Sequence, residues 1–157
     1  MSIQRVREYL KQFGAEERIR EFEASTATVE LAAQAAGVEP GRIAKSLSFK
    51  LEDRTLLVVA AGDVKVDNSK YKTTFGGKAK MLTAQVAEER IGHAVGGVCP
   101  FGVKEGVEVY LDRSLERFET VLPAAGSSNS CIELTLPEQE KFTPAKGWVE
   151  VCKLPQA

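Results

Sequence analysis

The run "TLLVVAAG", Thr55 to Gly62, is apolar at every position from Leu56 to Ala61. A strand with one wet face alternates; this one does not. It reads as a central strand covered on both faces, which requires neighbours at its edges and layers above and below. The preceding run, "RIAKSLSFKL" (Arg42 to Leu51), does alternate. Ile43, Lys45, Leu47 and Phe49 share one side with Leu51 beyond, and Ala44, Ser46, Ser48 and Lys50 share the other. Only "EDR" separates the two runs, so a hairpin is expected.

Helical signals surround this pair. Ile3, Val6, Leu10 and Phe13 lie on one helical face, with Ser2 as a candidate N-cap and Gly14 as the stop. "TVELAAQAAG" reads as a helix capped by Thr28, favoured by Glu30 near its start and ended by Gly37. "DVKVDNSKYKTTFGG" reads as a loop and a short helix. "TAQVAEERIG" is a helix from Thr83 to Gly92. "VEVYLD" is a strand, "RSLERF" a helical turn capped by Asp112, and "ETVLPAAG" and "SCIELTL" are two further strands. "PEQEKF" is a short helix with proline at its first position, and "WVEVCKL" a last strand or edge. This mixed order predicts an α/β or α+β fold with a mixed sheet.

Its 157 residues suit one domain, 1–157, large enough to bury a core without a metal or disulfide staple. No apolar run approaches the ~20 residues of a membrane span, and "MSIQRVREYLKQFG" is amphipathic rather than signal-like. Cys99, Cys131 and Cys152 are odd in number and widely spaced. They suggest free thiols and a cytoplasmic location. The net charge of −1 argues against general electrostatic coating of nucleic acid, so any RNA contact needs a local patch.

One histidine, His93, leaves no Cys/His zinc pattern, and a surface or capping role after Gly92 is expected for it. No phosphate-binding glycine motif is present. Three features remain. "GGVCPFG", Gly96 to Gly102, can present main-chain N–H groups to a carbonyl or oxyanion, or can simply be a tight turn. Lys45 stands in an apolar row, where burial lowers the pKa of an ammonium. It can form a Schiff base, hold an anion, orient a polar substrate, or snorkel to water. "KVDNSKYKTTFGGKAK" carries Lys65, Lys70, Lys72, Lys78 and Lys80 against Asp67 alone, a local +4 with Tyr71 and Phe75 interleaved. It is either an RNA-phosphate surface or a solvated lysine face.

Taken in order, "TVELAAQAAGVEPGRIAKSLSFK", "LLVVAAGDVKVD", "GGVCPFG" and "AAGSSNSCIEL" resemble the YbaK/EbsC family of prolyl-tRNA editing proteins, a domain also inserted in bacterial prolyl-tRNA synthetases. The likeness runs from about Thr28 to Leu134. The lysine of "AKSLSF" combined with G-x-x-P-F-G is its specific part. The resemblance implies a mixed, strongly curved, barrel-like sheet flanked by helices. It also implies a trans-acting aminoacyl-tRNA deacylase without cofactor or metal.

Carried over, the family lysine is Lys45 and the family loop is Gly97 to Gly102, with Val98, Cys99, Pro100 and Phe101 inside it. Phe22, Ser25 and Thr28, with Ser127, Ser128 and Asn129 of the late loop, are expected to line the substrate pocket. Two departures stand out: Cys99 occupies a position where many relatives have Ser or Thr, and "AAGSSNS" lacks the acidic residue or histidine of some subfamilies. The expected substrate is mischarged tRNA, tRNA(Pro) carrying Ala, Cys or Ser, with prolyl-tRNA synthetase as a further partner. The alternatives are a non-catalytic module that binds aminoacyl-tRNA or a synthetase, and a small-molecule enzyme using Lys45.

Overall fold

The computed structural model describes residues 2–93 and 97–155. In chain order the elements are α1 (Ser2–Lys11), β1 (Arg20–Glu21), α2 (Val29–Ala36), β2 (Ile43–Leu51), β3 (Arg54–Ala61), β4 (Lys65–Val66), α3 (Asn68–Phe75), α4 (Ala84–Ile91), β5 (Val107–Asp112), β6 (Thr120–Pro123), β7 (Ser130–Cys131), β8 (Leu134–Thr135), α5 (Leu136–Phe142), β9 (Ala145–Val149) and β10 (Cys152–Lys153). Single 3-10 turns lie at Glu16–Arg18, Pro40–Arg42 and Arg113–Arg117.

Side-chain caps set several of these ends. Thr28 accepts from the Leu31 N–H at the start of α2, Asp67 from Lys70 in α3, and Thr83 from Val86 in α4. Each cap satisfies one of the donors that a helix start leaves unpaired. Gly37, Gly76 and Gly92 close the same three helices in the left-handed conformation that glycine adopts without a Cβ clash.

The six-stranded sheet has the order β8-β6-β2-β3-β5-β9 and is curled and mixed. β2 and β3 form the expected antiparallel hairpin, in unbroken register from Ala44↔Ala61 to Leu51↔Arg54. β3 pairs β5 in parallel on its other edge, so the apolar run is central and Leu56 to Ala61 are fully buried. Two small antiparallel ladders, β1-β7 and β4-β10, lie outside it.

Two sequence expectations change. "SCIELTL" is not one strand: it divides into β7 and β8, and Thr135 then opens α5. Thr135 and Glu138 form a reciprocal capping box there, with Pro137 in the first turn. "WVEVCKL" is likewise divided. Trp148 and Val149 finish β9 on the main sheet, whereas Cys152 and Lys153 pair β4. Alternation alone does not reveal where a chain leaves one ladder for another.

The core falls into three clusters. The largest joins β2, β3 and β5 to Tyr71 and to Ala87 and Ile91 of α4. The second packs Val6 and Leu10 of α1 against Cys99, Phe101, Ile132 and Phe142. The third sets Ala32 and Ala33 of α2 on Ile43, Leu122 and Cys131. No helix among the described residues is long and apolar enough to cross a membrane.

Candidate functional site

A cavity of about 340 Å³ lies where these clusters meet. Its walls are the chain entering α2 (Thr26 to Ala32), β2 from Ile43 to Ser48, the start of α4, Val98, and the ends of β6 and β7. The volume falls in the range of small-ligand pockets. Residues of both parities of β2 line it, as expected of a cavity that abuts the strand's edge. β6 accompanies β2 only at Ile43 and Ala44. The chain before α4 takes over at Ser48, whose carbonyl accepts from Leu82 N–H, and at Phe49, which bridges to Met81.

Lys45 is half-buried on this wall. Its ammonium donates to the Val64 carbonyl, with the Gly62 carbonyl 3.4 Å away. Burial lowers its pKa; the nearby Cys152, Asp63 and Glu30 oppose that shift. The turn that supplies the two carbonyls is itself clamped. Arg117 forks onto Asp63 at 2.6 and 3.1 Å and donates to the Ser114 carbonyl at 3.0 Å. The fork and the neighbouring Lys45 hold the Asp63 carboxyl below its usual pKa. A Cβ on Gly62 would lie 2.2 Å from the Pro40 carbonyl and 2.7 Å from Val29, so the turn accepts no side chain there.

The glycine-rich loop is divided between cavity and core. Gly96 lies outside the described residues. Gly97 is buried against the Gly126–Ser127 backbone, with no room for a Cβ: Gly126 and Ser127 atoms would stand 2.5 Å from it. Val98 lines the same cavity as Lys45. Cys99 and Phe101 point into the second core cluster, fully buried, and Pro100 is buried next to them. Gly102 turns the chain at φ +65° and its carbonyl accepts from Arg5 on α1. The Cys99 thiol is pushed up to about 12 by burial, which keeps it protonated and unreactive at neutral pH.

His93 corrects the expectation of a surface or capping histidine. It is fully buried, and its Nε2 donates to the Phe101 carbonyl at 2.7 Å. Burial lowers its pKa, so it is neutral at pH 7 and braces the loop from behind.

The other expected pocket residues are brought together, partly as wall and partly as bracing. Thr28 lines the cavity while its hydroxyl caps α2. Phe22 N–H donates to the Asn129 carbonyl at 2.8 Å, and Asn129 Nδ2 returns a bond to the Phe22 carbonyl at 2.9 Å. Ser25 Oγ reaches the Ser128 carbonyl at 3.4 Å. Ser127 Oγ donates to Asn129 Oδ1 and lies 2.6 Å from Ser130 Oγ. The late loop is thereby knitted to the segment before α2.

Sequence reading missed four hydroxyl-bearing residues of the lining: Thr26, Ser46, Ser48 and Ser130. Alternation puts Ser46 and Ser48 on the face opposite Lys45, and a cavity set against the strand's edge is not visible in alternation. Thr26 and Ser130 sit one residue away from Ser25 and Asn129, which the resemblance had indicated.

The lysine-bearing segment lies on the surface, and cavity and segment share no lining residue. Lys65, Lys72, Lys78 and Lys80 are exposed. Lys70 is engaged instead: it meets Glu150 and the Cys152 carbonyl, each at 3.3 Å. Tyr71 is fully buried, 4.9 Å from the rings of both Phe49 and Phe75, and Phe75 continues to Tyr110. Tyr71 and Phe49 are core, and Phe75 and Tyr110 pack against them half-buried.

A mixed sheet opened at one strand edge, with a ligand-sized cavity over the opening, defines a small α/β domain. The aminoacyl-tRNA editing domain model matches residues 23–142, and the chain belongs to that family. It is 54% identical over 154 residues, 98% of either chain, to the uncharacterized protein YwhH of Bacillus subtilis (strain 168). It is 31% identical over 90 residues to a proline–tRNA ligase of Geobacillus sp. (strain WCH70), a match to 57% of this chain and 16% of the ligase. A crystal structure provisionally assigned as a trans-editing enzyme for prolyl tRNA synthetase superposes with a TM-score of 0.86 at 32% identity, covering 97% of both chains.

Proposed function

We propose that the protein is a trans-acting aminoacyl-tRNA deacylase, hydrolysing the ester of tRNA(Pro) mischarged with a small amino acid such as Ala, Cys or Ser. The observation that carries the reading is that half-buried Lys45 and Val98 of the glycine-rich loop line one cavity. The ester is already activated and the terminal ribose brings its own vicinal hydroxyl, so the reaction needs no protein nucleophile. Lys45 orients the ester or the terminal adenosine. Water adds to the acyl carbon, the bond to the ribose oxygen breaks, and a proton passes to that oxygen. Main-chain N–H groups at the Gly97 end of the loop meet the oxyanion; one such donor can be worth ~3 kcal/mol. Holding water and ester in line contributes a comparable or larger share.

The Gly62 and Val64 carbonyls hold the Lys45 nitrogen in place, and borohydride trapping with a carbonyl substrate separates the Schiff-base alternative from the deacylase reading. The exposed lysines of residues 65–80 are the proposed tRNA-phosphate surface. Single-turnover deacylation on a panel of mischarged tRNAs tests the whole reading. Loss of Ala, Cys or Ser from tRNA(Pro) well above the buffer rate is expected. Equal rates with and without protein across the panel would refute it and leave the non-catalytic binding module.

A further inference from the structure

The β2–β3 register is continuous, so its hydrogen-bonded and non-bonded pairs alternate strictly. Ser48 carbonyl and Lys50 N–H bond outward, to Leu82 and Lys80. Ala61 N–H, opposite Ala44, also turns away from β2, to Ser114 Oγ at 3.1 Å. The pairs at Ala44, Ser46, Ser48 and Lys50 are therefore the non-bonded ones. Both main-chain groups of Ser46 point away from β3, toward the edge where the cavity lies. β6 pairs that edge no further than Ala44↔Pro123, while its opposite edge continues the β8 register as far as the Ala124–Cys131 bridge. Among the described residues, neither the N–H nor the C=O of Ser46 has a main-chain partner on that edge.

We propose that this one-residue gap in the sheet is the subsite for the main-chain atoms of the aminoacyl group, with Ser46 pairing it as a strand pairs one residue of its neighbour. The Ser46 C=O accepts from the substrate's α-ammonium, and the Ser46 N–H donates to its acyl carbonyl. An edge donor and acceptor on one residue match the donor and acceptor that every α-amino acid carries. The gap thus recognises an α-aminoacyl group whatever its side chain, and the cavity's hydroxyls and alanines are left to judge the side chain. This rests on the deacylase reading for its substrate, but the gap itself does not.

The test combines amide exchange with substrate analogues. In the free protein the Ser46 amide should exchange much faster than its strand neighbours Lys45 and Leu47, which pair with β3. A non-hydrolysable alanyl-amide of 3′-amino-adenosine should then slow Ser46 exchange at least tenfold. Replacing the α-amino group by hydroxyl, as in lactyl-tRNA, should lower the rate enhancement over each ester's uncatalysed hydrolysis by about 10-fold relative to alanyl-tRNA, since a charge-assisted hydrogen bond becomes a neutral one. A slowly exchanging Ser46 amide in the free protein overturns the proposal. So does analogue binding, seen elsewhere in the cavity, that leaves Ser46 unprotected, even if the protein deacylates tRNA. Protection of Ser46 by the analogue in a protein that deacylates nothing would uphold the gap and sink the hydrolase.

Discussion

Lys45 and the lysines of residues 65–80 are the same side chain in opposite settings. Lys45 is half-buried, bound to main-chain carbonyls and set in a cavity wall. Lys65, Lys72, Lys78 and Lys80 are exposed. A confined ammonium has one geometry and a pKa that its neighbours set. An exposed one adds to a field that salt screens. Position matters more than charge in the first case, and number matters more than position in the second.

The sharpest way to break this contrast is Lys45→Ala. Deacylation should fall more than tenfold while circular dichroism stays native; a fully active variant would remove the lysine from the mechanism. Asp63→Asn should do less. It loosens the Arg117 fork and removes a negative charge near Lys45, whose pKa falls further below its ordinary value. If the ammonium is the working form, activity is lost as pH rises through that pKa. The basic limb of the pH–rate profile should therefore move to lower pH in Asp63→Asn. A drop in Tm with an unmoved limb would make the clamp purely structural.

On the exposed side, neutralising Lys72, Lys78 and Lys80 together should weaken tRNA binding and reduce its log–log salt slope by about 2. Lys70→Ala should change that slope little, since Lys70 is engaged with Glu150. An unchanged slope in the triple variant places the RNA surface elsewhere. The smallest effect concerns an ion pair remote from either set. Arg54 holds Glu108 at about 2, with Tyr110 hydroxyl also donating to it. That stabilisation is present above the carboxyl's ordinary value of about 4.5 and is lost as pH falls toward 2. Glu108→Gln should lower Tm slightly at pH 7 and flatten its decline across that interval.

Much of the architecture was legible in the chain. The uninterrupted run from Leu56 to Ala61 is the central strand, and Thr28, Asp112 and the glycines after α2 and α4 act as anticipated. The resemblance carried the family and the curled sheet. Of the residues it indicated, Lys45, Thr28 and Val98 line the cavity, whereas Cys99 and Phe101 are core. A loop's composition does not reveal which of its side chains turn inward, because that depends on α1 and on Phe142, remote in sequence.

What the sequence determined by itself is whatever depends on a residue and its near neighbours: caps, stops, the hairpin, and the odd lysine in an apolar row. Only the tertiary structure decided that β6 leaves β2 after Ala44 and that the chain before α4 rejoins it at Ser48. Side-chain alternation is a property of one strand. An unpaired edge is a property of where other strands end, and those are set by packing between segments about 30 to 80 residues apart.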